Sequence, residues 1–188
     1  MNFRSLLPIL GCLLFPASAL ADSPSAQTLI GACARCHGPD GNSPGQYPSL
    51  ARQNAEYTAK QLLDFKSGAR KDIQMSPMVG VLTEENIPVL AKYYAGEFIS
   101  RPRGIDKELA AQGKKVAAEL KCASCHQKNY RGKKEVPRLS RQKRLYLVKQ
   151  MKDYRDGKRT NDNGVKTPDV KNLTDDQIKA LSHYFAGM

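Results

Sequence analysis

Apolar positions recur at helical spacing in two widely separated stretches. Ile87, Leu90, Ala91 and Tyr94 lie three or four apart, and Ile178, Leu181, Ser182 and Phe185 repeat the pattern. Each stretch predicts an amphipathic helix. Thr83-Glu84-Glu85 and Thr174-Asp175-Asp176-Gln177 stand ahead of them as N-caps, and Gln177 completes a capping box. Two middle helices are expected, from about Glu56 to Lys66 and from about Leu145 to Asp156. A further helix, Leu109 to Leu120, leads into Cys122, with Gly113 nine residues before that cysteine. The matching place before Cys33 holds Pro24, so that helix must begin later, with Ser25 as its cap. The Gly-rich run from His37 to Gly45 is a loop, and no stretch reads convincingly as a strand. The expected fold class is all-α.

The two sets of helices are copies of one unit. Cys122 follows Cys33 by 89 positions, and the same offset relates Pro48 to Pro137, Leu50 to Leu139, Gln53 to Gln142 and Tyr57 to Tyr146. It also relates Gln61 to Gln150, Gly68 to Gly157 and Arg70 to Arg159. From Thr83 and Thr174 onward the offset is 91, so the second copy carries two extra residues between Arg159 and Thr174. An internal duplication of this kind predicts two tandem domains. They are placed at residues 22–99 and 109–188, with 100–108 as linker, because Arg101-Pro102-Arg103-Gly104 breaks both periodicities.

Residues 1–21 read as a secretory signal peptide. Arg4 supplies the positive start, Leu6 to Phe15 the apolar segment and Ala19-Leu20-Ala21 the cleavage pattern. The implied destination is a bacterial periplasm. No later stretch approaches the roughly 20 apolar residues of a spanning helix.

Composition adds that aromatics are few, 7% of the chain with Trp absent, so halves of about 80 residues are short of core material. The cysteines point to what fills it. Without Cys12, which falls in the signal segment, four remain, in Cys33-Ala34-Arg35-Cys36-His37 and Cys122-Ala123-Ser124-Cys125-His126. C-x-x-C-H is the attachment pattern for a c-type haem. Two thiols three positions apart reach both vinyl groups of one porphyrin, and the adjacent His sits beneath the iron. A zinc site built from all four cysteines would leave both histidines without a role. Two covalently bound haems c are expected, on Cys33 and Cys36 and on Cys122 and Cys125.

With these motifs each half resembles a class I cytochrome c domain, and the tandem resembles the dihaem cytochrome c4 family over nearly the whole mature chain. The resemblance implies a cytochrome c-type helical domain around each haem. It implies His37 and His126 as axial ligands, with the carbonyls of Pro48 and Pro137 accepting their Nδ1 protons. It also implies a methionine shortly before the last helix as sixth ligand. In the first half that is Met75, with Met78 as its rival. In the second half the aligned segment runs Lys166-Thr167-Pro168-Asp169, so Lys166 stands where Met75 stands and Asp169 where Met78 stands. The second iron therefore has Lys166, a water or nothing on its distal side. His183 aligns with Lys92 on the last helix and reads as a surface or packing residue.

Charge separates the halves further. Residues 22–99 hold seven Lys or Arg against eight Asp or Glu, whereas residues 100–188 hold 22 against 10. A basic field around one haem would steer an acidic redox partner. Export speaks against nucleic acid as that partner. The expected function is single-electron carriage between redox proteins of a respiratory or sulfur-oxidising chain, such as a membrane oxidase or a periplasmic dehydrogenase. The competing reading makes the second haem an enzyme or small-ligand sensor with an open or Lys-capped iron.

Overall fold

The computed structural model describes residues 24–188; the expected signal peptide at 1–21 lies outside the described residues. The chain forms α1 (Ala26–His37), α2 (Ala55–Ser67), α3 (Met75–Met78) and α4 (Asn86–Gly96), then α5 (Lys107–Glu119), α6 (Ala123–His126), α7 (Arg144–Arg155), α8 (Thr167–Val170) and α9 (Asp175–Gly187). Among the described residues no strand forms, apart from one isolated bridge between Lys133 and Val136. No described helix is long and apolar enough to cross a membrane.

The helix starts follow the capping chemistry of the sequence. The Ser25 hydroxyl accepts from Thr28 N, so α1 begins just after Pro24. Thr174 and Gln177 form the expected capping box on α9. In the first half Asn86 takes the role of Gln177: Thr83 N donates to Asn86 Oδ1 at 3.0 Å and Asn86 N donates to Thr83 Oγ1 at 3.3 Å. Asp106 caps α5, which starts at Lys107, inside the stretch read as linker. The motif helix of the second half is broken where Lys121 adopts a left-handed φ of 52°. Cys125 and His126 consequently sit on the separate turn α6, whereas α1 carries its whole motif.

Each half builds its own core. Leu29, Ile30, Phe65, Val79, Leu82, Ile87 and Leu90 form one. Ala117, Tyr130, Leu147, Val170, Leu173, Ile178, Leu181, Phe185 and Ala186 form the other. Gly113 lets α5 and α9 cross closely, since a Cβ there would lie 2.2 Å from the Ala180 carbonyl oxygen. The single glycine of α1, Gly31, faces open space.

The halves meet across hydrogen bonds that repeat about an approximate two-fold. Arg70 donates to Gln61 Oε1 of its own half (2.8 Å) and to Tyr146 Oη (3.0 Å) and Gln150 Oε1 (2.8 Å) of the other. Arg159 mirrors it, donating to Gln150 Oε1, to Tyr57 Oη (3.2 Å) and to Gln61 Oε1 (2.8 Å). Arg70 stacks over Phe65 and Arg159 over Tyr154, both at 4.5 Å. Both guanidiniums are buried. A buried cation is tolerated only when its donors are met. Here the repeat residues themselves meet them.

Candidate haem sites

Both C-x-x-C-H motifs present the same donors. Cys33 and Cys122 are partly buried, and Cys36 and Cys125 are exposed. His37 and His126 are buried. His37 Nδ1 lies 2.9 Å from the Pro48 carbonyl oxygen, and His126 Nδ1 lies 2.9 Å from that of Pro137. That bond commits Nδ1 and turns Nε2 outward as the ligating nitrogen. Burial lowers the pKa of His37. His126 is pushed down to about 4, first by burial and then by the positive charge of Lys166. Both rings are thus held neutral, as ligation of a metal requires.

The distal loops are equivalent in construction and unlike in chemistry. Asp72 Oδ1 accepts from Gln74 N at 3.0 Å and from Met75 N at 3.1 Å, which fixes Met75 at the start of α3. Asp162 does the same work for α8, accepting from the backbone N–H of Lys166 and, at 3.0 Å, from that of Thr167. Met75 packs against the first core, while Met78 is 48% exposed. The Lys166 ammonium donates to Asp169 at 3.0 Å and is 26% exposed.

The donor set fits a haem c in each half: two cysteines and a neutral imidazole whose Nδ1 is committed to a carbonyl. Among the described residues no three His, Cys, Asp or Glu side chains converge on one point. His183 is not a surface residue. It is buried, with Asp106 N donating to its Nδ1 at 2.9 Å and the Arg144 guanidinium 3.0 Å from Nε2.

Sequence reasoning missed the two capping aspartates, Asp72 and Asp162. The two-residue insertion falls in this segment and leaves them 90 positions apart, outside the 89-residue register that marks the repeat. It also missed the role of the paired residues Gln53, Gln142, Arg70 and Arg159, which it saw only as markers of duplication.

Comparison with known proteins agrees with this geometry. The family model for cytochrome c matches residues 25–94 and 110–188. The chain is 34% identical to cytochrome c4 of Pseudomonas aeruginosa over 184 residues, covering 92% of this chain and 91% of that one. It is 33% identical to a thiosulfate dehydrogenase electron acceptor of Stutzerimonas stutzeri, covering 84% and 79%. The crystal structure of reduced recombinant cytochrome c4 from Pseudomonas stutzeri superposes with a TM-score of 0.81 at 33% identity, covering 89% of this chain and 98% of that one.

Proposed function

The chain belongs to the cytochrome c family as a dihaem cytochrome c4, an electron-transfer protein with two covalently bound haems c, and we propose that it is a periplasmic carrier whose two haems differ in their sixth ligand. The haem supplies the one-electron chemistry when bound; the chain's residues hold, orient and poise it.

Cys33, Cys36, Cys122 and Cys125 form the thioether links, in domains at 22–99 and 109–188 joined by 100–108. His37 and His126 are the proximal ligands, oriented by Pro48 and Pro137. Met75 would hold the first haem's iron through its thioether, which favours the reduced state. Lys166 would hold the second through its amine, once that amine is free of Asp169 and of its proton. Residues 1–21 are the cleaved export signal. Support comes above all from the pair of 2.9 Å His–Pro bonds, the same in both halves. The relatives favour carriage over an enzyme or sensor role for the second haem.

The docking face is the basic second domain, where Arg131, Arg138, Arg141 and Met188 line a cleft whose other wall is Arg52 and Phe98 of the first domain. Burial and the neighbouring Arg131, Arg52 and Arg141 charges lower Arg138 to about 10. Crowded guanidiniums of this kind suit a carboxylate-bearing partner. The name of the thiosulfate dehydrogenase relative points to a periplasmic dehydrogenase as donor, with a membrane oxidase as the acceptor class. The test of the ligand set is low-temperature EPR with near-infrared magnetic circular dichroism on the oxidised protein. One methionine-ligated and one amine-ligated low-spin haem is expected. A high-spin second haem would overturn Lys166 and return the enzyme and sensor readings.

A further inference from the structure

Gln53 and Gln142 are buried, and each makes the same three hydrogen bonds. Gln142 Oε1 accepts from Lys143 N (2.8 Å) and, across the interface, from Ser49 N (2.8 Å), while its Nε2 donates to Ser49 O (2.9 Å). Gln53 Oε1 accepts from Asn54 N (3.0 Å) and, across the interface, from Arg138 N (2.8 Å), while its Nε2 donates to Arg138 O (3.1 Å). Two N–H donors on one atom and a carbonyl on the other leave no freedom to flip either amide.

Ser49 and Arg138 are the residues directly after Pro48 and Pro137. The Pro48–Ser49 peptide therefore accepts the His37 proton at its oxygen and gives its own N–H to Gln142 of the other half. The Pro137–Arg138 peptide does the same between His126 and Gln53. We propose that Gln53 and Gln142 are positioning residues that set the proximal hydrogen bond of the haem in the opposite half, so that docking of the two halves poises both irons. A peptide bonded at its N–H is a more polarised, stronger acceptor at its oxygen. A stronger acceptor on Nδ1 makes the imidazole a more basic ligand, which favours ferric iron. Each half thus holds the other's potential down.

The inference rests on His37 and His126 being the proximal ligands. That reading fails separately: the unmodified protein would then lack histidine-ligated haem c spectra altogether. The experiment is potentiometric titration of the intact dihaem protein, with the paramagnetically shifted His37 and His126 ring protons resolving the two haems by NMR. Gln142→Met removes the acceptor at similar size. It should raise the potential of the first haem and shift the His37 Nδ1 proton, while the second haem keeps its native values. Gln142→Glu retains an acceptor oxygen and should hold the first haem at or below its native potential. Gln53→Met should give the mirror result on the second haem, and stands in if Gln142→Met does not fold. Equal shifts at both haems, a shift only at the haem of the mutated half, or no shift would each overturn the proposal.

Discussion

The two halves share one architecture but differ in their motif helices, their distal loops and their charge. The first carries its whole motif on α1, which starts after Pro24, has Met75 at the start of α3, and exposes Ile73, Met78 and Val81 around that loop. The second divides the equivalent stretch into α5, which crosses α9 at Gly113, and α6, has Lys166 just ahead of α8, and holds most of the positive charge. The faces turned toward each other keep more of the repeat, although Asn54, which donates to Arg131 O and Val136 O of the other half, is matched by Lys143. Arg70 and Arg159, Gln61 and Gln150, Gln53 and Gln142 are kept as pairs. A two-fold interface uses each residue from both sides, so a change in one copy strands its partners in the other. At the position where they differ most, Met75 and Lys166 bond within their own loops, to Asp72 and to Asp162 and Asp169.

The sharpest way to break the comparison is at the distal loops. Lys166→Met should convert the second haem to a methionine-ligated spectrum like the first. Met75→Ala should abolish the methionine signature of the first haem and leave the second unaltered. Magnetic circular dichroism reads both, and an unaltered second-haem spectrum in Lys166→Met would remove Lys166 from the ligand set.

Interface symmetry is tested next. Arg159→Met leaves Tyr57 without its partner and removes a bond from each of Gln61 and Gln150, and should cost about 3 kcal/mol. Arg70→Met should cost the same within about 1 kcal/mol, because its three bonds are matched in Arg159, which adds one to Asn161 Oδ1 at 2.8 Å. Denaturant unfolding of the haem-loaded protein measures both; a large inequality would show that the symmetry of contacts is not a symmetry of energies.

A smaller effect separates the motif helices. Gly113→Ala forces a Cβ against the Ala180 carbonyl and should destabilise the second half by about 2 kcal/mol. Gly31→Ala meets nothing, and should stabilise the first by up to about 1 kcal/mol through helix propensity. Calorimetry of the two variants decides it.

The last contrast is one of pH. His183 is held below its usual pKa by burial and then by the Arg144 charge, with Lys179 acting the same way and Asp106 opposing. Its ring nitrogens both face donors, so an added proton finds no acceptor there. A histidine whose folded pKa lies below the unfolded value of about 6.5 takes up a proton on unfolding. Its contribution is whole above about pH 6.5 and is lost progressively as pH falls below it. The first half has Lys92 at this place and no imidazole. Acid melts should therefore weaken the second half first, and His183→Gln should flatten that dependence.

Much of this was legible in the residues. Helical spacing predicted the four residues that α4 buries, Ile87, Leu90, Ala91 and Tyr94, and likewise Ile178, Leu181, Ser182 and Phe185 on α9. Ser25 and Thr174 were readable as caps because capping is local in sequence. The two C-x-x-C-H motifs announced their cofactor because thioether attachment has a fixed spacing. The 89-residue register pointed to Gln53, Tyr57, Gln61 and Arg70 but not to their use, since each finds partners 76 to 102 positions away.

By itself, then, the chain determined two helical units, two covalent haem sites, the lysine that stands in for a methionine, and the basic bias of the second half. These are matters of composition, short-range spacing and periodicity, which act before the chain closes on itself. Only the tertiary structure decided that His183 is buried between Asp106 and Arg144, that Asp72 and Asp162 cap equivalent loops across an insertion, and that the repeated glutamines bond to the peptides holding the opposite histidines. Hydrogen bonds between distant residues depend on how two preformed units dock, and that is set by shape and the satisfaction of buried polar groups, neither of which is written at any one position.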